Sequence, residues 1–274
     1  MTWLPADTAL HVINSERTLT MDKRIGAQYF TLREFIQTVG DFEETCRKVS
    51  EMGYKIVQIS GTPLKASDMK PILDKYWLEV MLTHRSWKDF RENLEDVIEY
   101  NKTLGSELCG LGMMPFEIAE TSESVTEFIR EVNAIAKRLR GEGLYFGYHN
   151  HAFEFSKIDG KYVMDRLLEE TDPEEFKLIV DVYWLWVGGV IPEEFIKKHG
   201  SRIMAIHFKD LRVNPNNTTE MAEIGVGNLN WDAIIAACEE SGAKWAFVEQ
   251  DTCRTDPFEC MKTSYEFLKT KGFY

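Results

Sequence analysis

The sequence predicts an α/β protein, a (β/α)8 barrel built as one domain of residues 1–274. The chain has 274 residues, close to the ~250 residues that are typical of such barrels. From residue 25 onward, short runs of apolar and β-branched residues alternate with longer amphipathic stretches. The strand-then-helix units number eight, which is the count that closes this kind of barrel.

Each predicted strand is a run of five or six mainly apolar residues. The strands are predicted at Ile25–Phe30, Ile56–Ser60, Glu79–Thr83, Leu108–Gly112, Leu144–His149, Lys177–Asp181, Ile203–Phe208 and Trp245–Glu249. A doubly wound open sheet would use the same alternation of strands and helices. The barrel is favoured because no glycine-rich dinucleotide-binding motif follows the first strand.

Apolar residues recur at helical spacing between the strands. In Asp41–Met52 the apolar residues from Phe42 onward share one face, and Asp41 is the expected N-cap. Gly53 and Gly242 are expected to end two of the helices. The same pattern predicts further helices at Asp89–Leu104, Ser122–Arg140, Asn230–Ser241 and Asp256–Lys269. Residues 1–24 precede the repeat, and their alternating apolar residues predict an N-terminal extension in the form of a small hairpin.

The composition excludes several classes of protein. With 44% hydrophobic and 28% charged residues, the chain is neither disordered nor fibrous. Its formal net charge of −13 opposes binding to nucleic acid and to anionic membranes. The five cysteines form no Cys-x-x-Cys pair, which argues against a thiolate zinc site or a disulfide framework. No signal peptide or membrane-spanning run is recognised, so the expected location is the cytoplasm.

Metal-ligand side chains stand at the ends of four consecutive predicted strands, from the fifth to the eighth. They are His149, Asp181, His207 and Glu249. The carboxyl ends of barrel strands meet at one rim, so these side chains are expected to converge there. Imidazole and carboxylate ligands together suit one divalent Mn, Co, Zn or Fe ion. For any single residue, a satisfied polar side chain at a strand end is the alternative.

Seven segments carry a resemblance: Ile25–Gln28, Gly53–Gly61, Tyr148–Phe155, Val180–Asp181, His207–Asp210, Gly225–Trp231 and Val248–Asp251. Together they resemble the sugar phosphate isomerase/epimerase family. This family belongs to the xylose isomerase-like TIM barrel superfamily, which also holds inosose dehydratases and apurinic endonucleases. The resemblance covers about residues 24–270 and identifies the superfamily without specifying a substrate.

The resemblance implies one divalent ion held by Glu, Asp, His and Glu on strands five to eight. Asp181, His207 and Glu249 match the last three positions. At the first position this chain has His149, a change shared with the inosose dehydratase-like branch, and Glu154 is the alternative ligand. Mn is the preferred ion, with Co, Zn, Mg and Fe as alternatives.

The absence of the first glutamate disfavours the two-carboxylate epimerisation that the resemblance would otherwise imply. It favours proton abstraction next to a carbonyl by a histidine base. The expected enzyme is therefore a sugar isomerase/epimerase or a carbon–oxygen lyase acting on a sugar, a 3-keto-glycoside or an inosose. His151 is the expected general base or acid, and Lys209 would stabilise an enolate oxygen or donate a proton. Glu249 is expected to be a third catalytic residue.

Substrate contacts are predicted for residues near the strand ends, namely His84, Trp87, Glu154, Trp184 and Gln58. Aromatic faces suit the C–H faces of sugars, although core packing is the alternative for each ring. The expected partner is a small carbohydrate, with no nucleic acid or membrane partner, and a homo-oligomer is compatible with the family. The competing interpretation is a non-catalytic sugar-binding or partner subunit of the same fold. An apurinic endonuclease is disfavoured because Trp184 stands where a further histidine would be needed.

Overall fold

Eight parallel strands form a closed barrel in the computed structural model, which describes residues 21–274. The strands are β1 (Ile25–Gln28), β2 (Ile56–Ile59), β3 (Glu79–Arg85), β4 (Leu108–Leu111), β5 (Tyr145–His149), β6 (Phe176–Asp181), β7 (Ile203–Phe208) and β8 (Trp245–Val248). Each strand pairs with its neighbours in sequence, and β8 pairs with β1. The predicted barrel is confirmed, with every strand within two residues of its predicted bounds. The hairpin predicted in residues 1–24 lies almost wholly outside the described residues.

Helices follow the strands and cover the outside of the barrel. They are α1 (Val39–Met52), α2 (Ala66–Lys75), α3 (Trp87–Glu92), α4 (Leu94–Leu104), α5 (Ser122–Gly141), α6 (Val163–Glu170), α7 (Val182–Val187), α8 (Pro192–His199), α9 (Trp231–Ser241) and α10 (Pro257–Thr270). The single helix predicted over Asp89–Leu104 is two helices. Asn93, with φ −136° and ψ 41°, leaves the helical conformation between them. In the part of the chain that the structure describes, no helix is long and apolar enough to span a membrane.

Capping explains the ends of α1. Thr38, and not Asp41 as predicted, is the N-cap, because its hydroxyl accepts the backbone N–H of Asp41 at 3.1 Å. Asp41 lies one turn inside and accepts a hydrogen bond from the same hydroxyl at 2.7 Å. Gly53 ends α1 with φ 114°, and Gly242 ends α9 with φ 74°, so both predicted glycine stops are confirmed.

Two apolar layers hold the fold together. The larger cluster joins the outward side chains of the strands to the inner faces of the helices. A smaller cluster consists of strand residues and therefore fills the barrel interior, with Ile56, Leu82, Leu108, Ile179 and Phe247 among its members. The ring of Phe247 packs so tightly over Gly26, its partner on the neighbouring strand β1, that a Cβ at Gly26 would lie 2.2 Å from it. This plug closes the barrel below the polar strand ends.

Candidate active site

A cavity of about 910 Å³ opens at the carboxyl ends of the strands, where this fold class places active sites. Its floor carries the polar side chains of His84, His149, His151, Lys209, Glu249 and Asp251. Its wall carries the apolar side chains of Phe30, Trp87, Met113, Pro115 and Phe116. The charged residues at its mouth are Arg85, Lys88, Arg91, Glu92 and Glu117. The cavity therefore combines a polar end with an apolar wall.

The four predicted metal ligands lie together, and two of them, His149 and Glu249, line this floor. The residues His149, Asp181, His207 and Glu249 each offer one ligand atom, and these atoms all lie within 4.8 Å of one another. All four side chains are buried. Metal–ligand bonds of about 2.0–2.2 Å place the donors around one ion up to about 4 Å apart. The spacing of the four donors exceeds that limit by less than 1 Å, so the group could hold one divalent ion after a small closing movement of its side chains.

Backbone structure fixes which nitrogen of His149 faces this group. Its Nδ1 lies 2.9 Å from the carbonyl oxygen of Gly112 and donates a hydrogen bond to it. Its Nε2 is left 3.4 Å from Asp181 Oδ2. Burial opposes a positive charge on the ring, but the hydrogen bond and charge of Asp181 raise the pKa of His149 above its ordinary value. An outer hydrogen bond to a carbonyl is the usual support of a metal-binding imidazole.

A second side chain orients His207 in the same way. Gln58 Oε1 accepts a hydrogen bond from His207 Nε2 at 2.7 Å, which leaves Nδ1 for a metal. Nδ1 lies 2.8 Å from Glu249 Oε2, but the two do not form a hydrogen bond of acceptable geometry. Burial lowers the pKa of His207, so the ring is neutral, the form that binds metals. His207 Nδ1 and Glu249 Oε2, two buried atoms that could each bind a metal, therefore lie next to each other without a hydrogen bond between them.

Lys209 supplies the positive charge of the site. Its Nζ lies 2.8 Å from Asp181 Oδ2, 2.9 Å from Glu249 Oε2 and 3.0 Å from Asp251 Oδ1. Burial opposes the charge of this ammonium, but the three carboxylates outweigh it and raise the pKa of Lys209 above its ordinary range. Lys209 is therefore a cation that can donate hydrogen bonds but cannot act as a base. Trp184 covers it, with its ring centre 5.7 Å from Nζ.

Two further histidines line the cavity in the neutral state. Burial, followed by the neighbouring His149, lowers the pKa of His151 to about 3 and that of His84 well below its ordinary value. His84 Nε2 and His151 Nδ1 have no hydrogen-bond partner within residues 21–274. His84 lies within β3 and not after it as predicted. It fits there because a Cβ at Gly110 would lie 2.6 Å from its ring. Both nitrogens are buried polar atoms without a partner among these residues, on side chains that line the cavity.

The other residues predicted to contact substrate differ in whether they line the cavity. Trp87 lines the cavity wall, where it packs on Phe128 with ring centres 4.7 Å apart. Gln58 and Trp184 are not among the lining residues, and their contacts are with His207 and Lys209 respectively. Gln58 and Trp184 can therefore position His207 and Lys209 without contacting a ligand. Asp251 was not assigned a role from sequence, although its position two residues after Glu249, just past the end of the last strand, was the available signal.

Glu154 differs most from its predicted position. It is fully buried and absent from both the cavity lining and the ligand group. Its Oε1 accepts a hydrogen bond from the hydroxyl of Tyr148 at 2.8 Å, and its Oε2 accepts one from the backbone N–H of His151 at 2.9 Å. The carboxyl thus fastens the segment after β5, which carries His151. His149, and not Glu154, is the side chain that reaches the ligand group.

Burial of Glu154 predicts a pH-dependent stability. Burial raises the pKa of its carboxyl from 4.5 to about 7, more than its two hydrogen bonds lower it. The folded state therefore binds the proton more tightly, and stability falls as pH rises from 4.5 to 7, by up to about 3 kcal/mol. We expect Glu154→Gln, which cannot ionise, to gain stability relative to the wild type over this interval.

The measurement is the free energy of unfolding in urea at pH 5 and pH 8 for the wild type and Glu154→Gln. Glu174→Gln is the control, because it makes the same change of side chain at a position that is 87% exposed. An equal difference between Glu154→Gln and the wild type at both pH values would contradict the prediction.

The glycine-containing segment after β7 has a structural partner. The hairpin of Asp210–Val213 and Thr219–Ala222 leads into Gly225–Trp231. The Asp210 carboxylate is fully buried and accepts hydrogen bonds from five donors. They are the backbone N–H groups of Leu211, Gly225, Gly227 and Leu229, and the indole N–H of Trp231. The amide groups of Gly225 and Gly227 therefore serve this carboxylate and not a phosphate.

The fold and site define a class: a (β/α)8-barrel protein with a buried group of mixed imidazole and carboxylate ligands at the carboxyl ends of strands five to eight. Residues 46–271 match the xylose isomerase-like TIM barrel family. The chain belongs to this family, which confirms the resemblance seen in the sequence.

Curated relatives include inosose dehydratases. The chain is 24% identical over 257 residues to the inosose dehydratase of Bacillus cereus strain AH820, covering 81% of this chain and 85% of the relative. It is 22% identical over 265 residues to that of Lacticaseibacillus casei, covering 83% and 88%.

Solved structures share the fold over nearly the whole chain. A sugar phosphate isomerase/epimerase from Parabacteroides distasonis superimposes with a TM-score of 0.74 at 20% identity, covering 94% of this chain and 96% of that one. The probable 3-DHS dehydratase AsbF from Bacillus anthracis superimposes with a TM-score of 0.70 at 16% identity, covering 90% and 98%. A xylose isomerase-like protein from Mycobacterium smegmatis, solved with magnesium, has a TM-score of 0.70 at 14% identity, covering 90% and 95%.

Proposed function

We propose that the protein is a metal-dependent enzyme that removes a proton next to a carbonyl of a sugar or cyclitol and expels the oxygen substituent one carbon further on. The observation that carries the proposal is the buried group of His149, Asp181, His207 and Glu249 at the floor of the cavity. Similarity to inosose dehydratases over four-fifths of the chain supports an elimination in preference to an epimerisation.

The four donors would hold one divalent ion, with Mn preferred and Co, Zn, Mg or Fe as alternatives. When bound, such an ion polarises a substrate carbonyl and stabilises negative charge on its oxygen. The donors fit this use because two imidazoles and two carboxylates are ligands of intermediate character. Their outer contacts with Gly112 and Gln58 fix both rings before any ligand arrives.

His151 is proposed as the base. Its ring is neutral, its Nδ1 is free, and it lines the cavity beside His149, with ring centres 4.8 Å apart. The electron pair of the broken C–H bond forms the enolate double bond, and the proton passes to Nδ1. The low pKa of His151 leaves its ring unprotonated at neutral pH, as a base must be before it takes up a proton.

Lys209 and His84 complete the elimination. The Lys209 ammonium, whose three N–H groups face Asp181, Glu249 and Asp251, lowers the energy of the developing enolate through its positive charge. The C–O bond at the next carbon then breaks with its electron pair. The leaving hydroxyl takes up the proton that His151 removed and departs as water, while the free Nε2 of His84 binds a substrate hydroxyl. The products are an unsaturated carbonyl compound and one water, so atoms and electrons balance.

The experiment follows proton exchange and elimination separately. The protein is stripped with a chelator, reloaded with Mn²⁺ and incubated with scyllo-inosose in D₂O, and deuterium at the carbon next to the carbonyl is measured by NMR. We expect exchange and loss of water by the wild type. His151→Ala should keep its metal but lose at least about 100-fold in the exchange rate.

The control is His199→Ala, because His199 lies at the end of α8 and is absent from the cavity lining and the ligand group. His199→Ala should exchange at the wild-type rate. Exchange by His151→Ala at that rate would remove His151 from the base role. Sugar binding by the wild type without any exchange would support the non-catalytic sugar-binding subunit in place of the enzyme.

A further inference from the structure

The outer half of the cavity is apolar where the floor is polar. Phe30 follows β1, Trp87 begins α3, and Met113, Pro115 and Phe116 follow β4. Two of these side chains are more exposed to solvent than is usual for large apolar residues: Met113 is 43% exposed and Phe116 is 59% exposed. Exposed apolar side chains grouped at the mouth of a cavity mark a binding surface.

An aromatic path joins this surface to the polar floor. The ring of His151 lies beside that of Phe153, with centres 6.0 Å apart and planes within 21° of parallel. Phe153 in turn meets Phe116 edge to face, with centres 4.9 Å apart. Phe116 and His151 both line the cavity, and Phe153, which is not among the lining residues, packs between them. A single ligand can contact both.

The size of the cavity also favours a ligand larger than a single six-membered ring. At about 910 Å³, it is at the upper end of the 300–1,000 Å³ that sites for drug-sized ligands occupy. A single six-membered ring on the floor would leave the apolar outer half against water. A second ring attached to the first would fill it.

The cations at the mouth each have a carboxylate nearby, which opposes the binding of a phosphate there. Arg91 lies 2.9 Å from Glu131, Lys88 lies 3.9 Å from Glu92, and Arg85 lies 3.5 Å from Asp89. Each cation thus already has an acidic neighbour. The glycine amides after β7 are also occupied, because they bind the Asp210 carboxylate.

We propose that Phe116 and Met113, with Phe30 and Trp87, form an outer subsite for an aromatic substituent of a polyhydroxylated substrate. The substrate class is therefore an unphosphorylated, carbonyl-bearing glycoside or ether that carries an aromatic group, held with its polyhydroxylated ring on the floor. This inference rests on the proposed function in that the floor is taken to bind the polyhydroxylated ring. The aromatic group stacks or meets Phe116 edge to face as the ring settles on the floor.

The test compares two glycosides that differ in one substituent. Dissociation constants of 4-nitrophenyl and methyl β-D-glucopyranoside are measured by calorimetry on the full chain loaded with Mn²⁺. We expect the aryl glycoside to bind about tenfold more tightly, because it buries an aromatic ring. In Phe116→Ala this ratio should fall to about threefold or less, while the affinity for the methyl glycoside stays unchanged.

Trp77→Ala is the matched control, because Trp77 is an aromatic residue that is 80% exposed and lies outside the cavity lining. It should keep the tenfold ratio. Equal affinities for the two glycosides, no binding of the aryl glycoside, or an unchanged ratio in Phe116→Ala would each overturn the subsite. So would a wild-type dimer that Phe116→Ala dissociates and that shows no aryl preference, because a second copy would then cover this surface.

Failure of the subsite and failure of the proposed function are distinguishable. Metal retention and exchange of scyllo-inosose without an aryl preference would reject the subsite and leave the enzyme in place. An aryl preference in a protein that holds no metal and exchanges no proton would support the subsite and reject the enzyme.

Discussion

His207→Ala is expected to abolish stoichiometric metal binding. The wild type should retain about one divalent ion per chain after dialysis against Mn²⁺, measured by mass spectrometry of the metal content. Removal of the imidazole eliminates one of four donors and leaves Gln58 and Glu249 without the ring between them. Loss of an outer partner alone costs about 10- to 100-fold in metal affinity, so loss of the ligand should exceed that range.

His207 is fully buried, so the alanine variant also leaves a cavity in the core. His207→Gln keeps most of the volume and should lose the metal as well, which separates ligand loss from misfolding. His199→Ala, outside the ligand group, should retain the wild-type metal content. Full metal content in both His207 variants, or no metal in the wild type even at excess Mn²⁺, would reject the coordination.

Asp210→Asn is expected to destabilise the protein strongly. The Asp210 carboxylate accepts five hydrogen bonds, with distances from 2.7 to 3.2 Å, and no solvent reaches it. In Asp210→Asn, an amide nitrogen replaces one carboxylate oxygen. This nitrogen cannot accept a hydrogen bond from the N–H groups that face it. Leaving buried donors without an acceptor costs about 1–3 kcal/mol each, so we expect a loss of roughly 3 kcal/mol.

Such a loss corresponds to a fall of roughly 6–12 °C in the melting temperature of a chain of this size. The measurement is thermal unfolding followed by circular dichroism. Asp232→Asn is the control, because the Asp232 side chain is 80% exposed and its contact is a surface ion pair with Lys271. A shift in Asp210→Asn no larger than in Asp232→Asn would show that the five contacts contribute little.

The barrel could be predicted because its strands are read from local pattern. Parallel strands buried on both faces appear as short apolar runs, and the (β/α)8 repeat spaces them regularly. Helix ends were less well predicted. Thr38 replaced Asp41 as a cap, and Asn93 broke a helix, because each depends on the backbone angles of one residue.

The ligand group could also be predicted from sequence. Its four members occupy strand ends, and a barrel brings its strand ends together. The same reasoning did not predict the contacts of Gln58 and Glu154. Each lies at or after a strand as a cavity residue would, but each points its polar atoms at the protein, to His207 in one case and to Tyr148 and a backbone N–H in the other.

The sequence by itself determined the eight strands, the family and the residues at the rim, because strand period and strand ends are local properties of the chain. Only the tertiary structure decided which side chains bind each other. It placed Lys209 among three carboxylates and made His151 neutral, because charge and burial depend on neighbours distant in sequence. It also set the exposed Phe116 at the mouth of the cavity, because the shape of a cavity arises only when loops from several strands meet.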